Sequence, residues 1–329
     1  MKILVTGATG LVGTQFIKDA TALGFQINFL TTKRIKTFEE KNIKGFYWNP
    51  EIDLIEDLSC FDDVKYIVHL CGFSVDKRWT KNNRKKIIDS RVKTLQLLKQ
   101  TIEKNNIKIN HIISASAIGL YPSSKTNIYT EEENKYEQYF LTDVIKKWEA
   151  AAQSFNSLEM KVSIIRIGLV MSIKGGVLEK IIKSMEINRI AVVFGDGSQW
   201  QSWIHIKDLS SIFLFVINKK LSGVYNAVAP KPITNFEMVR IIKDNFDYLY
   251  RNNHYSRSTT LRASDRIEFY RKIFIYFTIN VPKFIFKFLF GKMHEILFLS
   301  HKVSSQKLSD AGFVFDFPDF EKMIKEINQ

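Results

Sequence analysis

The sequence is poor in cysteine and in acidic residues. Its 329 residues contain only Cys60 and Cys71, which excludes a disulfide framework and a cysteine-rich metal site and fits a reducing compartment. No metal site of any kind is predicted. Asp and Glu number 34 against 48 Lys and Arg, giving a formal net charge of +14. Because the lysines are spread along the whole chain, this charge does not favour a nucleic-acid partner, and it can equally attract anionic cofactors and substrates.

Long apolar runs are also missing. Met1-Lys2 leads directly into a few apolar residues that stop at Thr6-Gly7, far short of the apolar core of a secretory signal. Residues 273–282 are uncharged, but a bilayer span needs about twenty apolar residues. We therefore expect a cytoplasmic protein without a transmembrane segment, of one large or two moderate domains.

The first thirteen residues predict a nucleotide-binding turn. A short apolar strand ends at Thr6-Gly7, and apolar residues at helical spacing follow from Leu11. Gly7 would allow the turn, Gly10 the approach of a pyrophosphate, and Gly13 close packing of helix on strand. The phosphates would then meet the free N–H groups at the positive end of the helix. The residues expected at the cofactor in this turn are Gly7, Thr9, Gly10, Leu11, Val12 and Gly13. A glycine turn without a ligand is the alternative.

Hydroxyl and basic side chains follow the predicted second strand, residues 26–30. Thr31, Thr32, Lys33 and Arg34 stand where an acidic residue would bind the ribose 2′-hydroxyl of NAD, and the first carboxylate comes only at Glu39. A basic residue at this position accommodates the 2′-phosphate of NADP, so NADP is predicted rather than NAD. A solvated basic turn is the alternative.

Two later strands supply the remaining predicted cofactor contacts. Ligands of open α/β sheets lie outside the carboxyl ends of the strands, so Leu70, Cys71 and Gly72, at the end of strand 66–70, should approach the adenosine. Ser114 ends strand 109–114 and Ala115 follows it, and both are also predicted to contact the cofactor. Arg91 lies on the apolar face of the predicted helix 80–104, where it either meets a cofactor phosphate or extends its charge to the surface.

A series of further motifs occurs in one order along the chain. They are residues 71–72, 77–80, 89–91, 114–119, 148–152, 166–170, 174–176 and 202–205. Together with the Thr-Gly-x-x-Gly-x-x-Gly turn, they resemble one atypical branch of the short-chain dehydrogenase/reductase superfamily, the epimerase-family oxidoreductases related to the SDR39U group. The resemblance ends near Arg240 and resumes near Pro282, where residues 288–291 and 307–313 resemble the conserved C-terminal domain of that family.

The resemblance implies an α/β fold, with a Rossmann-type doubly wound parallel sheet and a smaller C-terminal substrate lobe. Residues 1–170 would form the NADP-binding domain, with 202–230 returning to it, and residues 171–201 and 231–329 would form the lobe. Residues 250–279 have no counterpart in the family and are predicted to be an insertion. Residues 247–307 hold eleven Lys or Arg against four acidic residues, typical of either a core-facing amphipathic helix pair or a peripheral membrane or partner surface.

The catalytic pair of the superfamily is absent. Active members carry Tyr-x-x-x-Lys on the helix predicted over 141–155, and these positions fall on Leu141 and Ile145, which cannot transfer a proton. Ser116 matches the superfamily serine and Tyr121 follows it, so these two are the predicted catalytic residues. Two functions remain open: an NADP-dependent oxidoreductase or epimerase acting on an unidentified small molecule, and an NADP-binding regulatory protein without turnover.

Overall fold

A sheet of parallel strands lies at the centre of the fold. The structure, a computed structural model, describes residues 1–34, 39–40, 42–246, 249 and 277–327. Its strands are β1 (Lys2–Thr6), β2 (Gln26–Thr31), β3 (Glu39–Glu40), β4 (Ile43–Asn49), β5 (Leu54–Ile55), β6 (Val64–His69), β7 (His111–Ala117), β8 (Ile128–Tyr129), β9 (Lys161–Ile167), β10 (Leu169–Ser172), β11 (Ile190–Phe194), β12 (Trp200–Gln201), β13 (Trp203–His205), β14 (Gly223–Ala227), β15 (Ile233–Thr234), β16 (Phe277–Val281) and β17 (Lys302–Val303). Its helices are α1 (Leu11–Ala22), α2 (Lys81–Lys104), α3 (Phe140–Gln153), α4 (Gly176–Asn188), α5 (Ile206–Lys219), α6 (Asn235–Asp244), α7 (Lys283–Phe290), α8 (Gln306–Asp310) and α9 (Phe320–Glu326).

The strand order of the sheet is β14-β9-β7-β6-β1-β2-β4-β3. All neighbours from β14 to β4 are parallel, and β3 pairs antiparallel with β4 at the edge. The chain moves outward through β1, β2 and β4, then crosses back to β6 on the other side of β1. This reversal opens a crevice beside the carboxyl end of β1, where ligands of doubly wound sheets bind. The predicted α/β doubly wound parallel sheet is confirmed.

Helices cover the sheet, because its strands are apolar on both faces. In β1, Ile3, Leu4 and Val5 are fully buried, as expected for a parallel strand between two layers of helices. Helix α1 packs against α5, with the rings of Phe16 and Phe213 at 6.1 Å, and α2 packs against α3.

A second apolar core lies outside the sheet. It is formed mainly by α4, β11, α6 and α9, with Leu178, Val193, Met238 and Met323 among its buried side chains. Two strands near the C-terminus pair with strands from earlier in the chain: β16 pairs with β11, and β17 pairs with β8. The predicted insertion lies outside the described residues as far as 276, and residues 277–279 belong to β16. Among the helices that the structure describes, none is long and apolar enough to cross a membrane.

Candidate functional site

The glycine turn between β1 and α1 is packed against the next strand of the sheet. Gly7 has a φ of +73°, and a Cβ there would lie 2.6 Å from the Leu70 carbonyl carbon. A Cβ on Gly13 would lie 2.3 Å from the Gly7 carbonyl oxygen. Both positions therefore require glycine for the fold itself, as the sequence predicts for the turn and for helix packing.

Gly10 has a different surrounding. Its φ of −78° and ψ of 168° suit any L-residue, and a Cβ there would meet only the Gly7 oxygen, at 3.3 Å. No side chain caps α1, and its first turn holds no acidic residue. The N–H groups of Leu11, Val12 and Gly13 therefore have no acceptor within the helix. An uncapped helix start of this kind favours negative charge in front of it, because its free N–H groups and the helix dipole both attract anions.

A cleft of about 710 Å³ opens in front of this turn. Seven of the predicted cofactor residues line it: Gly7, Thr9, Thr31, Thr32, Lys33, Cys71 and Gly72. The rest of its wall was not predicted and consists of Ala8, Leu30, Trp48, Pro50, Glu51, Phe73, Asn82, Lys85, Lys86, Asp89, Ser90, Lys93 and Thr94. Burial raises the pKa of the Cys71 thiol to about 11, so this thiol stays protonated near neutral pH.

Helix α2 supplies seven of the thirteen wall residues that the sequence did not predict. Asn82, Lys86, Asp89 and Lys93 follow one another at three- and four-residue spacing, so they share one face of the helix. That polar face next to Gly72 is the signal that could have identified it. Asp89 accepts a hydrogen bond from Lys85 at 2.8 Å.

The two predicted cations after β2 face different ways. Lys33 lines the cleft. Arg34 pairs with Glu56 at 3.1 Å, and its guanidinium lies 4.5 Å from the centroid of the Tyr47 ring. The structure thus brings Lys33, and not Arg34, to the cleft wall.

Arg91 is largely buried behind Gly72. Its Nη1 donates to the carbonyl oxygens of Ile87 at 2.9 Å and Phe73 at 3.1 Å, and the guanidinium lies 5.0 Å from the Trp148 ring centroid. A Cβ on Gly72 would lie 2.8 Å from Arg91 Nη2. Burial lowers the pKa of Arg91 to about 10. Arg91 therefore ties the loop after β6 to α2 through its hydrogen bond to the Phe73 carbonyl oxygen.

Ser114 and Ala115 lie within β7 rather than beyond its end. Both are buried, and the Ser114 hydroxyl donates to the Ala115 carbonyl oxygen at 3.0 Å. Ser114 is opposite His69 in the parallel pairing of β6 with β7.

The two predicted catalytic hydroxyls belong to one buried network. Ser116 donates to Glu149 at 2.6 Å, and Glu149 accepts both Nε and Nη2 of Arg166, each at 2.9 Å. Arg166 Nη1 donates to the Tyr121 hydroxyl at 2.9 Å, which donates to Asn226 at 2.7 Å. Burial raises the pKa of Tyr121 to about 12.

The chain around these sites matches known proteins over most of its length. The NAD dependent epimerase/dehydratase family matches residues 3–227. The chain belongs to this family. A domain of unknown function, DUF1731, matches residues 281–327, so the predicted resemblance to an epimerase family with a conserved C-terminal domain is confirmed.

Relatives of this epimerase-family chain cover it from end to end. An epimerase family protein of Staphylococcus haemolyticus is 28% identical over 328 residues, which make up 99% of this chain and 98% of the relative. The crystal structure of human epimerase family protein SDR39U1 with NADPH aligns at a TM-score of 0.79 and 24% identity, covering 100% of this chain and 99% of that one. A nucleoside-diphosphate sugar epimerase from Corynebacterium glutamicum aligns at 0.71 and 23% identity, covering 100% of this chain and 58% of that one.

The positions of the missing Tyr-x-x-x-Lys pair carry apolar side chains in α3. Ile145 is 4% exposed, and its Cδ1 would lie 3.5 Å from a Cβ on Gly119. Leu141 is half-buried, while the nearby Lys146 and Lys147 are exposed. Lys146 lies over the Tyr136 ring, 4.6 Å from its centroid.

Two contacts join α4 to the loop after β6 and to α1 in this epimerase-family fold. Lys180 on α4 forms an ion pair with Asp76 of the loop after β6, and Ser74 donates to the same carboxyl group. Both hydrogen bonds lower the pKa of Asp76, and the one from Lys180 has the larger effect. A Cβ on Gly175 would lie 3.1 Å from Leu11 Cδ1, so the start of α4 lies against the first turn of α1. Within the described ranges, no group of three His, Cys, Asp or Glu side chains is arranged to hold a metal ion.

Proposed function

We propose that this protein binds NADP(H) in the cleft between the glycine turn and α2. The single observation that carries the proposal is the glycine turn at the sheet reversal, whose Gly7, Ala8 and Thr9 line a cleft of about 710 Å³ and lead directly into the uncapped start of α1. Gly7, Thr9, Gly10, Leu11, Val12 and Gly13 would hold the pyrophosphate. Thr31, Thr32 and Lys33 would meet the 2′-phosphate, with Arg34 beside them, and Leu70, Cys71 and Gly72 would border the adenosine. The human relative named above was crystallised with NADPH.

We propose less direct roles for the other predicted cofactor residues. Arg91 would fix the loop that carries Gly72, and its charge would add to the field at the pyrophosphate. Ser114 and Ala115 would support the floor of the cleft from β7. We propose oxidoreductase or epimerase activity on a small molecule as the first candidate function, since a bound nicotinamide supplies a hydride donor or acceptor.

Replacement of Gly10 by valine tests cofactor binding. The backbone angles at Gly10 accept valine, and its Cβ meets only the Gly7 oxygen, so the fold should survive. The valine would occupy the space in front of the α1 N–H groups, where the pyrophosphate must approach. We expect Gly10→Val to lose NADPH binding in a fluorescence titration while its urea unfolding midpoint stays close to that of the wild type.

Lys18→Val is the matched control, because Lys18 is exposed on the same helix and away from the turn. It should bind NADPH as the wild type does. Unchanged NADPH affinity in a folded Gly10→Val protein would refute the proposed site.

We propose that the second apolar core, which includes α4, forms a substrate lobe. The Lys180–Asp76 ion pair and the packing of Gly175 on Leu11 support this, because they set the lobe against the glycine turn. Ser116 and Tyr121 remain the predicted catalytic residues. A positioned general acid contributes about 10²- to 10⁴-fold in rate, so Tyr121→Phe should lower turnover by that amount with little change in NADPH affinity.

A regulatory protein without turnover is the second candidate. It is favoured by the apolar residues at positions 141 and 145 and by the commitment of both predicted hydroxyls to a buried network. A panel of carbonyl, nucleotide-sugar and enone compounds would separate the two functions. Hydride transfer to any of them supports the enzyme, whereas NADPH binding with no transfer and an altered partner interaction supports the regulator.

A further inference from the structure

Helix α7 leaves nearly all of its apolar surface exposed. Its sequence is Lys-Phe-Ile-Phe-Lys-Phe-Leu-Phe, and Phe286 is its one buried side chain. Phe286 packs against Phe194, with ring centroids 5.0 Å apart, and Phe298, at 5.7 Å. Phe284 is 70% exposed and Phe288 is 88% exposed. Exposed apolar clusters of this kind mark interaction sites in folded proteins.

The exposed residues of α7 form a ridge that points away from the protein. Phe284 and Phe288 are one turn apart and lie on the side of the helix opposite Phe286. Ile285 and Leu289 widen the ridge on one side.

Basic residues border the ridge, and acidic residues are missing from its part of the sequence. Lys283 and Lys287 lie one turn apart on the flank of α7, and Lys292 follows the helix. The sequence has no Asp or Glu between Glu268 and Glu295. These exposed lysines make the flank of the ridge complementary to an anionic surface.

We infer that α7 is a membrane-contact segment that places Phe284 and Phe288 at the acyl-chain boundary of an anionic bilayer. Lys283 and Lys287 would then reach the lipid phosphates. Amphipathic helices with aromatic residues on one face and lysines on the other bind in this interfacial position, through buried apolar area and attraction to anionic lipids. The inference goes beyond the proposed function and does not depend on cofactor binding.

A bilayer fits the ridge better than a second copy of the chain does. An eight-residue helix is about 12 Å long, whereas a stable protein interface buries roughly 800 Å² on each partner and needs a matching surface. A projecting ridge can insert into lipid without a matching surface, because binding strength increases with each apolar group that the lipid buries.

Vesicle co-sedimentation of the full chain tests the inference. We expect binding to vesicles of phosphatidylcholine mixed equally with phosphatidylglycerol, and much weaker binding to phosphatidylcholine alone. Phe284→Ser combined with Phe288→Ser should weaken binding to the mixed vesicles at least tenfold. Lys283→Gln combined with Lys287→Gln should weaken it about tenfold or more and reduce its dependence on salt.

Leu23→Ser is the matched control, since Leu23 is 63% exposed at the end of α1, and it should bind as the wild type does. In a Phe288→Trp variant, acyl chains labelled with bromine should quench the added tryptophan. The inference is overturned if the wild type binds neither vesicle, or if the double serine variant binds as well as the wild type. It is also overturned if the wild type is a dimer in solution that the serine variant dissociates and no vesicle binding is seen.

Discussion

Lys33 and Arg34 are neighbours in the chain, yet only Lys33 lies at the cleft. The sequence indicates a basic turn after β2, but it does not show which cation faces the ligand. The choice depends on Glu56 and Tyr47, which lie on later segments and hold the Arg34 guanidinium. The sequence therefore indicates where the basic turn lies, whereas the direction of the Arg34 side chain depends on an ion pair with a distant residue.

We expect Lys33→Ala to remove most of the preference for NADPH over NADH. A charge-assisted hydrogen bond to the 2′-phosphate contributes about 1.5–3 kcal/mol, which is tenfold or more in affinity. Arg34→Ala should cost less, because Glu56 already neutralises that guanidinium. Titration of wild type and both variants with each cofactor measures this. An equal loss of NADPH and NADH affinity in Lys33→Ala would contradict the assignment.

Helix α3 is held to the sheet by an ion pair that is the most buried of those formed by the described residues. The side chains of Glu149 and Arg166 are 9% and 5% exposed. Burial alone would lower the pKa of Arg166, but its hydrogen bonds to Glu149 and the charge of that carboxylate raise it overall. The arginine therefore stays charged and needs its partner.

Glu149→Gln should cost about 3–5 kcal/mol of unfolding free energy, because it leaves the Arg166 charge buried without a carboxylate. Asp63→Asn is the control. It breaks the pair of Lys2 with Asp63, whose side chain is 89% exposed, and should change stability by under about 1 kcal/mol. Urea unfolding of the three proteins decides it, and equal losses in both variants would exclude a special role for the buried pair.

The elements of the sheet were predictable, whereas the contacts between them were not. Strand 26–30 and helix 80–104 match β2 and α2 to within a residue at each end, because apolar runs and helical spacing are local signals. The network of Ser116 and Tyr121 could not be found in this way, since Glu149, Arg166 and Asn226 come from distant parts of the chain. The face of α2 at the cleft was visible as a pattern, but only the strand crossing brings it to Gly72.

The C-terminal segment is attached to the rest of the molecule through a buried carboxylate. Asp208, in the first turn of α5, is 0% exposed and accepts the backbone N–H groups of Asp316 at 2.9 Å and Phe317 at 3.0 Å. Burial raises the pKa of Asp208 to about 6, although both hydrogen bonds oppose the shift. Part of the family's C-terminal domain thus depends on an acid that titrates in a mild pH range.

As the pH rises, Asp208 loses its proton in the unfolded chain before it does in the folded protein, because its pKa has the ordinary, lower value in the unfolded chain. The stabilising contribution of this group is complete below about pH 4 and is lost as the pH rises through 6, by about 3 kcal/mol. Asp208→Asn cannot titrate, so the unfolding free energy of the wild type minus that of the variant should fall by about 2 kcal/mol from pH 4.5 to pH 7. Urea unfolding of both proteins at these two pH values checks it. A difference that stays constant with pH would contradict the raised pKa.

The position of β14 at the end of the sheet affects how the chain must be made. Strand β9 pairs on one side with β7, but its other partner is β14, which is synthesised only after α4 and α5. During synthesis, the free edge of β9 stays unpaired until β14 is available, and it can form hydrogen bonds with a strand of another chain. Translation past Ala227 closes that interval, so a pause before this codon would prolong the period in which nascent chains can aggregate.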